Sequence, residues 1–95
     1  EPPQALIDFL TARDRTCRFP GCRQPARVGD IDHAKSWDTG GETSISNLGV
    51  LCRRHHRMKT HGGWSLESNP DGSCLWRSPL DKEFFVPARP VLDAI

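Results

Sequence analysis

The sequence predicts a small α+β domain, and three observations carry that assignment. An apolar helical stripe opens the chain, and short apolar runs bounded by Gly, Pro, Asn and Asp follow it. Four cysteines then sit among histidines at short spacings. Ninety-five residues, 36% of them hydrophobic, with eight Gly and eight Pro, make one domain (1–95) with a modest core. Chains of this size often need a staple beyond hydrophobic burial.

Taken in order, residues 3–14 read as a helix. Pro2 or Pro3 suits its first turn, and Leu6, Ile7, Phe9 and Leu10 line one side. Pro20-Gly21 forces a tight turn between Cys17 and Cys22. "ARVGDIDHA" (26–34) reads as a short strand with Val28 and Ile31 as its apolar members. A Gly- and Ser-rich loop to Asn47 follows, with Trp37 expected beneath it. "LGVLC" is a second short strand. "RRHHRMKTH" (53–61) is a helix of two to three turns, stopped by Gly62-Gly63. Residues 64–87 read as a β-hairpin turning at Asn69-Pro-Asp-Gly72, with "EFFVP" offering a further strand. The last stretch, 88–95, reads as a mobile tail or linker.

A net charge of +1 conceals a pattern. Residues 13–27 carry five Arg against one Asp, and 52–61 carry three Arg and one Lys with no acid, so each stretch is +4. Residues 28–51 have one Lys against four acids and are −3. Two basic stretches around an acidic centre suit a polyanion gripped on either side of a metal site, although two solvated faces would look the same.

The run "CRRHHRMKTH" (52–61) joins one cysteine and three histidines to four fixed positive charges. Cys17-x4-Cys22 and Cys52-x2-His55 each have knuckle spacing, so both pairs can reach one tetrahedral ion. Three thiolates and an imidazole close the shell, which makes structural Zn²⁺ the expected tenant. A Cys17–Cys22 disulfide would leave Cys52 beside an idle His55. Cys74 stands apart as a small core residue. Neighbouring helix residues diverge by ~100°, so His56 points away from the ion of His55 and toward a second site. "DIDH" offers Asp30, Asp32 and His33 at a strand end facing that helix. A carboxylate and a neutral imidazole with positions left to water suit a divalent ion used in hydrolysis.

These residues carry a resemblance. "DIDHAKSWDTGGETSISNLGVLCRRHHRMKTHGGW", extended back through "RDRTCRFPGC", resembles the HNH endonuclease motif over residues 13–64. That family folds as a ββα-metal (His-Me) finger with a built-in zinc knuckle, here spanning 15–63, and its relatives stand at the C-terminal end of larger bacterial proteins. The resemblance implies a metal-dependent endonuclease acting on nucleic acid, double-stranded DNA above all. It places the three signature residues on His33, Asn47 and His56. It also implies that Asp32 and His56 hold a catalytic Mg²⁺, Mn²⁺, Ni²⁺ or Zn²⁺, that His33 is the general base, and that Asn47 pins the loop. Two departures stand out: His55 replaces the cysteine of many relatives, and Gly29 precedes "DIDH" where a fifth cysteine would back up the site.

Arg53, Arg54, Arg57 and Lys59 are the expected phosphate contacts, giving sequence-independent affinity. His61 lies ~140° from His56 around a helix and reads better as a dipole or phosphate contact than as a third ligand. Asp30 suits a hydrogen bond to a histidine, Lys35 a solvated charge, and the three tryptophans the core. No signal peptide and no apolar run near ~18 residues is visible, so no membrane association is expected and the cytoplasm is the expected compartment. The alternative function is a non-catalytic zinc module binding nucleic acid or protein, which has no need of Asp32, His33, Asn47 and His56 together.

Overall fold

The computed structural model describes residues 2–89, so the expected tail lies, beyond Arg89, outside the described residues. Pro3, held at φ −62°, starts helix α1 (Gln4–Asp14), and its carbonyl accepts the Leu6 and Ile7 amides. The helix stops where Arg15 turns to φ 61°. Its buried line is Leu10 and Asp14, one turn apart, while Phe9 is exposed. The expected stripe narrows because Phe9 lies ~100° around from Leu10, off the face that meets the rest of the chain.

Strand β1 (Asp30–His33) pairs antiparallel with β2 (Leu48–Leu51), with Asp30 opposite Leu51 and Asp32 opposite Gly49. Helix α2 (Arg53–His61) follows directly from Cys52 and packs on both strands, completing a ββα unit. A meander of β3 (Ser65–Ser68), β4 (Cys74–Arg77) and β5 (Glu83–Val86) forms a second sheet. Asn69–Gly72 is its first turn: Gly72 N–H reaches the Asn69 carbonyl at 3.1 Å with Gly72 at φ +97°. The architecture is therefore α+β, with the "EFFV" strand making a third member beyond the expected hairpin.

Two expectations need correction. Residues 26–28 do not join β1. Pro25 and the Gly29 N–H···O=C Ala26 bond close a short 3₁₀ turn there, and Val28 is exposed. Trp37 is not tucked under its loop but 67% exposed. Trp76 is fully buried and Trp64 half-buried, as a small core requires.

The core joins Cys17, Leu51, Cys52, Leu66, Cys74 and Trp76, so the second sheet packs on the cysteine loop. Phe19, inside that loop, meets Trp64 and Trp76 edge-on at 5.3 and 5.2 Å. Beneath lies a polar hub with no counterpart in the sequence reading. Asp14, 2% exposed, accepts from the Val50 amide and from Arg13. Arg13 also reaches the Ile45 and Leu48 carbonyls. Arg18, 3% exposed, lies across Gly49 and donates to Ser68 Oγ, while its carbonyl accepts Trp76 Nε1–H. The first basic stretch is thus partly internal. Arg13 and Arg18 spend their charge tying α1, β2 and the second sheet together, and are not surface grips.

Candidate metal centre and acidic cleft

The side chains of Cys17, Cys22, Cys52 and His55 converge, their ligand atoms all within 4.8 Å of one another. His55 Nδ1 stands 3.5 Å from Cys17 Sγ and 3.3 Å from Cys52 Sγ. Metal–ligand bonds of ~2.3 Å to sulfur and ~2.0 Å to nitrogen give a tetrahedron edges of about 3.5 Å, so these gaps fit one ion. The loop enforces the geometry. Gly21 takes φ +78°, Phe19 N–H points at Cys17 Sγ, and the Phe19 ring stacks on His55 at 4.1 Å. All four cysteines are free thiols, and Cys74 stands outside the group.

Electrostatics at this centre follow from its burial. Burial pushes the Cys17 thiol up to about 12. Burial would raise Cys52 as well, but the hydrogen bond from the His55 backbone and those from Cys17 and Cys22 bring it below its usual value. His55 is held below the ordinary histidine range by burial and then by Arg54, which favours the neutral imidazole a metal needs.

His56 faces the opposite way. Because alternate strand residues share a face, Asp30 and Asp32 both turn toward α2 and meet it. Asp30 Oδ2 lies 3.0 Å from His56 Nδ1 and 2.9 Å from Arg53 Nε. Hydrogen bonds from Arg53 and then His56 hold the Asp30 carboxyl below its usual range. With the Nδ1–H given to Asp30, Nε2 of His56 is directed at Asp32 Oδ1, 3.5 Å away. Two acceptors cannot face each other without a proton or cation between them. Asp32 Oδ2 is buried and, among the described residues, has no hydrogen-bond partner. Burial pushes the Asp32 carboxyl up despite the nearby charges of Lys59 and His56. An orphaned carboxylate oxygen beside an oriented imidazole is the donor chemistry that divalent cations take.

His33 ends β1 and lines the same cleft as Asp32, Trp37, His56, Lys59 and Thr60. Its Nε2 is 3.0 Å from Thr43 Oγ1, on the loop between the strands. Asn47 closes that loop. Its Oδ1 accepts the Lys35 amide at 2.8 Å, and its Nδ2–H₂ donates to the carbonyls of Lys35 and Glu42. Gly41 is required here, since a Cβ would fall 1.8 Å from the Lys35 carbonyl oxygen.

Arg54 and Arg57 are exposed, and Arg53 projects outward while bonding Asp30. Lys59 departs from the expectation of an outward phosphate contact. Only 14% exposed at its side chain, it turns inward to Asp32 Oδ1 at 3.3 Å and to the His33 carbonyl at 3.1 Å. It stands three residues after His56, and that i,i+3 spacing on one helix face is the signal that could have placed it there. His61 is exposed on a separate cleft shared with Arg53, His56 and Arg57. Thr43 and Phe19 carried no sequence signal.

Residues 17–62 match the family model described as HNH endonuclease. That segment, 46 of the chain's 95 residues, is recognised as an HNH endonuclease domain. It is 47% identical over 79 residues to the uncharacterized proteins MT2160 and Rv2100 of Mycobacterium tuberculosis, covering 82% of this chain and 14% of theirs. The uncharacterized protein Rv3776 of the same species is also 47% identical over 79 residues. The chain thus spans about one-seventh of the length of the curated relatives it matches. No solved structure matches it. Among the described residues no helix is long and apolar enough to cross a membrane.

Proposed function

We propose that the chain is a metal-dependent endonuclease domain that hydrolyses nucleic-acid phosphodiester bonds, with DNA the preferred substrate and structural Zn²⁺ on Cys17, Cys22, Cys52 and His55. The observation that carries it is the buried Asp32 carboxylate, whose Oδ2 has no partner among the described residues and whose Oδ1 lies 3.5 Å from the Nε2 of a His56 that Asp30 orients. Asp32 and His56 would hold a divalent ion, which would act as Lewis acid toward the phosphate and the departing 3′ oxygen.

The chain's own groups do the rest. With Nε2–H given to Thr43 Oγ1, the Nδ1 lone pair of His33 takes the proton from the attacking water. Asn47 has no useful pKa and acts through geometry, keeping the His33 loop closed. Arg53, Arg54 and Arg57 bind phosphates along the helix. Lys59 steadies Asp32 and the His33 carbonyl.

The same Lys59 ammonium favours a second reading, a zinc module that binds without cutting, since it already offsets part of the Asp32 charge. Plasmid nicking with Mg²⁺, Mn²⁺ or Ni²⁺ separates the two. Ion-dependent nicking lost in His33→Ala is the expected result. No cleavage of plasmid or of single-stranded DNA with any ion, alongside intact DNA binding, would establish the binding module.

A further inference from the structure

Trp37 is the one large aromatic in the 34–47 loop, and it stands in water at the mouth of the cleft that holds Asp32, His33, His56 and Lys59. Leaving an indole exposed forgoes the burial that would stabilise so small a domain. The loop does not hold it loosely. Ser36 caps the 3₁₀ turn Trp37–Thr39 through its side chain, the Gly41 amide returns to the Ser36 carbonyl, and Asn47 clasps Lys35 and Glu42. These bonds hold the backbone that presents Trp37, and its ring centroid lies 6.5 Å from that of His33, inclined 62° to it. A flat apolar ring fixed beside the site of phosphate chemistry matches the face of a nucleobase, because base–aromatic stacking tolerates any sequence.

Resting on the nuclease reading above, we infer that Trp37 stacks on the base next to the scissile phosphate, so that the domain acts where that base is already unstacked: a single strand, gap or bulge. In a continuous duplex both faces of each base are occupied by neighbours, and stacking on Trp37 would first require unstacking that costs free energy. The edge-on contact with His33 leaves an alternative, in which Trp37 merely props the imidazole.

The test is binding in the His56→Ala background, where cleavage does not intervene. An oligodeoxyadenylate and an abasic oligomer of equal length are titrated while tryptophan fluorescence is followed. The intact oligomer should quench a component of the emission that is missing in Trp37→Phe. Trp37→Ala should weaken its binding about tenfold, on the scale of one base–aromatic stack, and Trp37→Phe should recover most of this. The abasic oligomer should bind weakly and lose nothing further in Trp37→Ala. Gapped duplex should compete better than continuous duplex. Equal losses for intact and abasic oligomers, or equal competition by the two duplexes, would overturn the inference. Base-dependent quenching, alongside a wild-type chain that cleaves neither duplex nor single-stranded DNA with any divalent ion, would leave the stacking site standing and remove the nuclease reading alone.

Discussion

His55 and His56 are neighbours in the chain, yet they serve two opposite kinds of site. His55 belongs to a closed one: three thiols and one imidazole in mutual contact, stacked under Phe19 and continuous with the core. His56 belongs to an open one, in which Asp30 sets the ring, Asp32 leaves an oxygen unpartnered, and the cleft stays accessible. The difference teaches how a small domain divides its ligands. A shell completed by protein can add only stability, whereas a shell left incomplete keeps positions for water and substrate. A single helix position separates the roles, because a ~100° step per residue turns the two rings to different sides.

The sharpest way to break this contrast is to remove one ligand of the closed site. Cys52→Ser or His55→Ala should abolish zinc retention and cooperative folding, since structural zinc contributes on the order of 10 kcal/mol to small domains. Elemental analysis beside a thermal melt checks this. Acid should act in the same direction, because thiolates must take up protons to release the ion, with zinc tightening as pH rises. A stable, zinc-free His55→Ala protein would end the argument.

The open site should answer differently. His56→Ala should keep its zinc and its melting temperature while losing ion-dependent nicking. His33→Ala should lower the rate by ~10²–10⁴-fold, the usual contribution of a general base, with zinc content unchanged. If His56→Ala sheds the zinc and His55→Ala keeps it, the two roles are exchanged.

Asp32 sharpens the comparison further through pH. Burial sets its carboxyl above the ordinary 3.8, so the folded chain holds this proton more tightly than the unfolded one. Without added divalent ion, this residue's contribution to stability falls as pH rises from 3.8 through the raised value, and it stays low above that. Asp32→Asn removes that cost. Its melting temperature at pH 7 should exceed the wild type's, and the gap should close toward acid. A variant less stable than wild type throughout would mean that the contacts to Lys59 and His56 outweigh burial.

The smallest expected effect lies on the surface. Arg57→Ala should weaken DNA binding uniformly across sequences and reduce the slope of log K against log salt by about 1. An unchanged slope would remove Arg57 from the phosphate contacts.

Local spacing determined a good deal by itself. Knuckle pairs, helical divergence and strand alternation are short-range geometry, so the Cys17, Cys22, Cys52 and His55 grouping and the separate heading of His56 were legible before any coordinates. The turn at Asn69–Gly72 and the stop of α2 before Gly62-Gly63 were legible for the same reason, since Gly and Pro restrict the backbone wherever they stand. Charge and burial were not. Arg13 and Arg18 looked like surface cations, but contacts with Ile45, Leu48 and Ser68, thirty to fifty residues away, draw them inside. Lys59 looked like a phosphate contact until β1 placed Asp32 beside it, and Trp37 looked like core until Asn47 closed a loop that holds it in water. Whether a charge is paired or a ring buried depends on partners distant in the chain, and only the packed structure decides which partners those are.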